Sequence, residues 1–208
     1  MTTVLSPAEE RVLLQGVSWE TYERLLADQR DRSAPRLTYD RGRLEIMSPS
    51  GEHEEINDRF KYFVLAVAEE LDLELRSFGS KTFKRADLAK GFEPDSCFYI
   101  QSVERVADTR DPDLTLHPPP DLVVEIDLSH PSLDKLPVYA QAGVPELWVY
   151  DGRAVTISVL RGDAYAATET SLALPPVTAA VLTHFIAEAR DVKLRAWLRR
   201  VREWARAA

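Results

Sequence analysis

A single cysteine, Cys97, stands among the 208 residues, so neither an intrachain disulfide nor a multi-cysteine zinc site can form. That usage fits a reducing compartment, and the cytoplasm is the expected location. No run reaches the roughly 18 apolar residues of a membrane span. The opening stretch MTTVLSPAEERVLLQG lacks a basic patch followed by an apolar core, so no export signal is expected. Positive charge is also short: 26 Lys and Arg against 34 Asp and Glu give 26 − 34 = −8. Such a balance argues against broad, nonspecific adhesion to nucleic acid, although it leaves room for a locally basic face or an acidic metal site. There is no glycine-rich phosphate loop and no nucleophile elbow. Cys97 lies in an apolar strand without a helper base, and His53, His117, His130 and His184 show no zinc-site spacing. Covalent nucleophilic catalysis is therefore not expected.

What is present is a hydrophobic content of 45%, enough at this length to bury one substantial core. One domain over 1–190 is expected, followed by a C-terminal helix over 191–208. Ser18 caps a short helix, and the alternating segments RLTYD and RLEIM flank an Asp40-Arg41-Gly42 turn, predicting a hairpin. Apolar residues at three- and four-residue steps from Ile56 to Leu71 predict a long helix opened by His53, Glu54 and Glu55. Strands are expected at 73–78, 82–84 and 95–100, with a loop through Gly91. A strand at 122–128, a helix at 132–142 closed by Gly143 and a strand at 145–151 make a parallel crossover unit. An outer hairpin follows at 154–168. The C-terminal helix carries an apolar stripe of Leu194, Trp197, Val201 and Trp204 flanked by arginines. That stripe packs either on the core or on a second subunit, and its basic flanks are a candidate phosphate contact.

The chemically suggestive feature is PDLVVEIDLSHPSLDK. A strand this apolar seldom carries ionised carboxylates without a partner. Strand alternation puts Val123, Glu125 and Asp127 on one face and Leu122, Val124, Ile126 and Leu128 on the other. Two carboxylates about 6 to 7 Å apart along a strand repel unless a cation or a proton intervenes. Asp95, after Pro94, reaches the same point if its strand is a neighbour. Carboxylate oxygens are what magnesium prefers, and a Lys135 ammonium beside them would stabilise charge developing on a phosphate. Spacing alone leaves a second reading open, in which Asp121, Glu125 and Asp127 form the wet face of an outer strand. Acids at 54 and 55 suit a helix N-terminus in any case, and His53 reads as a cap or a surface histidine.

Taken together, MSPSGEHEEIN, GSKTFKR, GFEPDSCFYI, PPPDLVVEIDLSHPSLDK and YAQAGVPELWVYDG resemble the Uma-type restriction endonuclease family, within the PD-(D/E)XK nuclease superfamily. The resemblance runs over most of the chain. It implies an α/β (α+β) fold with a restriction-endonuclease-like core, a mixed β-sheet flanked by helices. It also implies that Asp95 and Glu125 are the two signature acids, with the main-chain carbonyl of Ile126 completing the metal contacts. The usual lysine two residues after the glutamate is replaced by Asp127. In the family a lysine four residues before a tyrosine supplies that ammonium, and Lys135 before Tyr139 matches it. Glu54 matches a supplementary acid on the first long helix.

The expected function is thus a Mg2+-dependent endonuclease acting on DNA, with Mn2+ as a substitute metal. Asp95, Glu125, Asp127 and Lys135 form the catalytic group, Asp95, Glu125, Ile126 and Glu54 the metal group, and a homodimer is the expected assembly. The rival is a catalytically inactive nuclease-fold dimer serving as a binding or regulatory module, motivated by the acidic charge and the lack of an appended DNA-binding motif. Carboxylate-pair glycoside hydrolysis ranks last, because Lys135 stands beside the acids and no sugar-stacking aromatic does.

Overall fold

The computed structural model describes residues 9–29, 32, 34–129 and 133–208. In chain order the elements are β1 (Glu10–Gln15), α1 (Trp19–Asp28), β2 (Arg36–Asp40), β3 (Arg43–Ser48), α2 (Gly51–Glu70), β4 (Arg76–Ser77), β5 (Phe83–Arg85), β6 (Lys90–Phe92), β7 (Ser96–Tyr99), β8 (Leu122–Ile126), α3 (Leu136–Ala142), β9 (Glu146–Tyr150), β10 (Val155–Arg161), β11 (Ala164–Thr168), α4 (Ala179–Glu188) and α5 (Leu194–Ala207).

Two sheets result. The larger runs β11-β10-β9-β8-β7-β4, with β8 and β9 parallel through the α3 crossover and the other pairs antiparallel. The smaller runs β1-β3-β2-β6-β5, antiparallel throughout. One face of the larger sheet, with Leu122, Val124, Ile126 and Trp148, packs on α2, α4 and α5. Its other face, with Cys97, Val123 and Leu147, packs on α3 and on Phe83 and Phe92 of the smaller sheet. Both faces of β8 are therefore buried, which explains its near-continuous apolar sequence. Beyond the smaller sheet, Tyr22 of α1 lies on Leu37, Tyr39 and Leu44.

Local chemistry accounts for most of the boundaries. The Ser18 hydroxyl accepts from the Thr21 amide at 3.2 Å and starts α1. Arg41 and Gly42 both have positive φ, 46° and 89°, as a two-residue hairpin turn requires. Gly143 ends α3 in the left-handed conformation.

Several expectations change. The long helix starts at Gly51, because Ser50 caps it by accepting from the His53 amide at 3.1 Å. The crossover helix starts at Leu136, not 132, and residues 130–132, with His130 and Ser132, lie outside the described residues, as does the 1–8 part of the N-terminal reading. Residues 10–15, for which no element was expected, form strand β1; its Val12 and Leu14 face outward, so its hydrophobic pattern looks unpartnered. The loop expected through Gly91 is strand β6. A glycine is required there because a Cβ would meet the Tyr22 hydroxyl oxygen at 2.1 Å, and the bare backbone lets α1 dock. Helix α4 had no expectation at all, since AAVLTHFIAE is apolar on too many sides to show a stripe. In α5 the Trp197 indole is buried and donates to the Phe185 carbonyl at 2.8 Å, while Arg202 and Arg206 pair with Glu69 and Glu70 of α2 at 3.0 and 2.6 Å. The core of the tryptophan stripe is thus spent within the chain. Among the described residues no helix is long and apolar enough to cross a membrane.

One buried acid away from the 95–135 cluster ties the loop before α4 to the larger sheet. Glu146, fully buried on β9, accepts from the Trp148 indole at 2.5 Å and from the Leu172 and Ala173 amides at 2.6 and 2.9 Å. Glu146→Ala strips all three donors of their acceptor. We expect it to destabilise the fold by about 3 kcal/mol. Urea unfolding gives the loss, and faster amide exchange at Leu172 and Ala173 places it.

Candidate active site

Registry between β7 and β8 pairs Ser96 with Val124 and Cys97 with Val123. Continued by one residue, it sets Asp95 across from Glu125, and opposed residues of an antiparallel pair project from the same face. Both acids are buried, with Asp95 1% and Glu125 5% exposed. The wet outer-strand alternative is thereby corrected: β8 is an inner strand between β7 and β9, buried along its whole length. Asp121 has a separate task, holding the turn after β7 by accepting from the Ile100 and Ser102 amides at 2.7 and 2.9 Å.

A buried carboxylate survives only with several donors. For Asp95, Oδ2 accepts from the Ile126 amide at 2.6 Å, and Oδ1 meets the His53 Nε2 at 2.9 Å and the Arg36 guanidinium. Asn57 of α2 donates to the Asp95 carbonyl at 3.0 Å. The N-terminal end of α2 thus faces this acid, where the helix dipole favours negative charge. For Glu125, Oε2 accepts from Lys135 Nζ at 2.7 Å and Oε1 from the Tyr139 hydroxyl. Lys135 is the N-cap of α3 and Tyr139 lies one turn on, so the start of a single helix delivers both donors. Burial and the adjacent Glu125 charge push the Tyr139 phenol well above its ordinary range, keeping it a proton donor.

Asp127 lies just beyond β8, where it pairs with Arg11 at 2.9 Å. Its carboxyl is raised above the usual range by burial, which outweighs Arg11, with the Glu125 charge adding to the rise. Glu54, 44% exposed, holds the second nitrogen of Arg36 at 2.6 Å, so the Arg36 fork links Glu54 to Asp95. Of the expected residues, Glu54, Asp95 and the Ile126 amide are joined through Arg36 and Asp95, Glu125 is joined to Lys135 and Tyr139, and Asp127, held by Arg11, lies close enough to feel the charges of Glu125 and Lys135. The surface reading of His53 is corrected, because the side chain is fully buried between Asp95 and Glu9. Glu55 is an exposed residue paired with Arg59.

Four members had no sequence expectation. Arg11 is one: beyond Asp127 it reaches Glu45 at 3.2 Å and Glu9 at 3.2 Å. Burial works to lower its pKa, but Asp127, Glu45 and Glu9 together raise it. The others are Arg36, Glu9 and Glu45. Each belongs to the N-terminal strands or the segment before β1, and only the fold brings them near residue 95 or 127.

Charge decides what the arrangement invites. Glu9, Glu45, Glu54, Asp95, Glu125 and Asp127 give six negative charges, and Arg11, Arg36 and Lys135 give three positive ones, so the formal sum is 3 − 6 = −3 on the same count that leaves histidine out of the chain's −8, and a proton on His53 makes it −2. Among the described residues no three or more His, Cys, Asp or Glu converge as a self-sufficient metal cage. Asp95 and Glu125 nevertheless fit a hard divalent ion. Asp95 Oδ2 and each Glu125 oxygen carry one protein donor, which leaves one lone pair apiece beside a net negative charge.

The network has an acid limit. Burial works to raise the Glu9 carboxyl, but hydrogen bonds from His53 and Ser129 and the charges of His53 and Arg11 bring it from 4.5 down to about 2. A depressed carboxylate contributes stability that is complete above its unfolded value of 4.5 and lost as pH falls toward 2. Glu9→Gln should flatten that part of the stability curve. Urea unfolding of both proteins across the acid range checks it.

A crystal structure described as a "putative nuclease belonging to DUF820" from Anabaena variabilis ATCC 29413 superposes with a TM-score of 0.56 at 14% identity, covering 82% of this chain and 99% of that one. At that identity the likeness speaks for the fold, a restriction-endonuclease-like core. No curated protein matches the chain. The profile of the Uma2 family, described as "Putative restriction endonuclease", matches residues 19–189, and the chain belongs to that family.

Proposed function

We propose that this protein is a divalent-metal-dependent endonuclease that hydrolyses phosphodiester bonds in DNA. The observation that carries the reading is the buried Asp95–Glu125 pair on adjoining strands, with Lys135 on Glu125 and an excess of three negative charges around it. Family membership and the nuclease description of the structural neighbour support it.

In this reading Asp95, Glu125 and the Ile126 carbonyl would hold Mg2+, with Mn2+ as a substitute and Glu54 as a supplementary acid. The bound ion would supply charge neutralisation at the scissile phosphate. Lys135 is the group that turns toward substrate: its ammonium leaves Glu125 partly or wholly for a phosphate oxygen and stabilises the charge that develops there. Tyr139 keeps Glu125 oriented meanwhile. Asp127 positions the attacking water or adds an oxygen ligand. Water as nucleophile accords with Cys97, whose thiol burial pushes up to about 12. A homodimer and a reducing, cytoplasmic setting belong to the same proposal, and light scattering of the purified protein tests the first.

Neutral, near-isosteric variants test the site with least harm to the fold. Asp95→Asn and Glu125→Gln should each lose Mn2+ binding by calorimetry and metal-dependent plasmid cleavage. Lys135→Met should keep the ion and lose about 100-fold in cleavage rate. Unchanged cleavage by both acid variants would overturn the mechanism. No binding at millimolar metal would instead favour a nuclease-fold dimer without turnover.

A further inference from the structure

Glu125, but not Asp95, borders a different kind of surface. Across the larger sheet Glu125 neighbours Val149 of β9, which faces Thr156 of β10; in the next row on that face Val123, Leu147 and Ser158 follow the same order. On this face lies a cavity of about 320 Å³ that Glu125 and Asp127 also line. Lys135 stands at one end with Asp134 beside it, Leu147 and Val149 form the floor, Leu136 the lip, and the hydroxyl residues Thr156 and Ser158 the far end. Leu136 is 43% exposed, a large apolar side chain presented to whatever enters.

A binding site for an intact duplex has no use for an apolar recess beside its cutting centre, because stacked bases cannot reach it. The sequence of environments does match one nucleotide. A cation serves the phosphate, hydrocarbon serves the flat face of the base, and paired hydroxyls serve the exocyclic groups on its edge. From Glu125 to Thr156 is two strand spacings, about 10 Å. That span is comparable to the reach from a nucleotide's phosphate to the far edge of its base.

We propose that this cavity receives an unpaired nucleobase of the strand being cut, so that DNA with a bulged, flapped or single-stranded nucleotide at the scissile bond is the preferred substrate. The inference rests on the nuclease reading and adds its substrate class. Thr156 is a specificity residue, exposed on β10 and outside the acid network.

The test compares a fully paired oligonucleotide duplex with the same duplex carrying a one-nucleotide bulge. Binding is read by fluorescence anisotropy with Ca2+ and cutting on gels with Mg2+. The wild type should favour the bulged duplex at least tenfold in both. Thr156→Trp, which fills the cavity from an exposed position, should abolish that preference while calorimetric Mn2+ binding persists, and Thr156→Val should reduce it several-fold. Equal treatment of the two duplexes by the wild type, or an undiminished preference in Thr156→Trp, would overturn the base pocket. Preferential binding that Thr156→Trp removes, without cutting by the wild type, would sustain the pocket and overturn the nuclease reading. Neither binding nor cutting of any DNA would overturn both.

Discussion

Two carboxylates facing each other across the middle of a buried sheet set the terms for everything around them. Asp95 and Glu125 are removed from water by the same packing that makes β7 and β8 inner strands, and each charge would be intolerable alone. The answer differs for the two. Asp95 is held by groups fixed early in the chain, Arg36 of β2 and His53 of α2, together with the backbone amide of Ile126. Glu125 is held by Lys135, the cap of the helix that follows it, and by Tyr139 within that helix. One side of the site is thus clamped by groups from distant elements, and the other by a lysine and a tyrosine one turn apart at the start of a short helix.

An acid at 127 has a structural cost that the smaller sheet absorbs. With an acid at 127, three carboxylates crowd one end of β8, and the nearest lysine is already engaged by Glu125. Arg11 of β1 supplies the missing cation, and it in turn collects Glu9 and Glu45. This is why β1, whose Val12 and Leu14 are exposed, is part of the domain: an ion-pair network with buried members and a ladder to β3 hold it, with Leu13 half-buried beside Arg11. Removing one cation from such a network would strand several buried charges at once.

The pattern of what could be read in advance follows from this. Elements with their own periodicity or punctuation were legible: α1 from Ser18, the hairpin from Arg41 and Gly42, the crossover from the strand, helix and Gly143 order. The site was legible to the extent that its members lie in one stretch, 125 to 135, or share a motif with a family, as Asp95 does. Arg11, Glu9, Arg36 and Glu45 carried no local signal, because an inward-pointing arginine in an edge strand looks the same as a surface one until its partners are placed. Gly91 misled for a related reason: its lack of a side chain serves Tyr22, 69 residues earlier, and no loop at all. Helix α4 hid because it packs on several sides.

The acidity of the chain, which counted against nucleic acid when taken as a whole, changes meaning once it is located. Of the net −8, a formal −3 belongs to the site itself, leaving −8 − (−3) = −5 for the remainder. A divalent ion bound among Asp95, Glu125 and their neighbours would reduce that local excess to about −1, and a Lys135 released toward solvent would present positive charge at the mouth of the cavity. Metal occupancy would then control more than chemistry. It would weaken the repulsion that a phosphate meets there, so that in this reading binding of a nucleic-acid strand and readiness to cut it would both rise with the same ion.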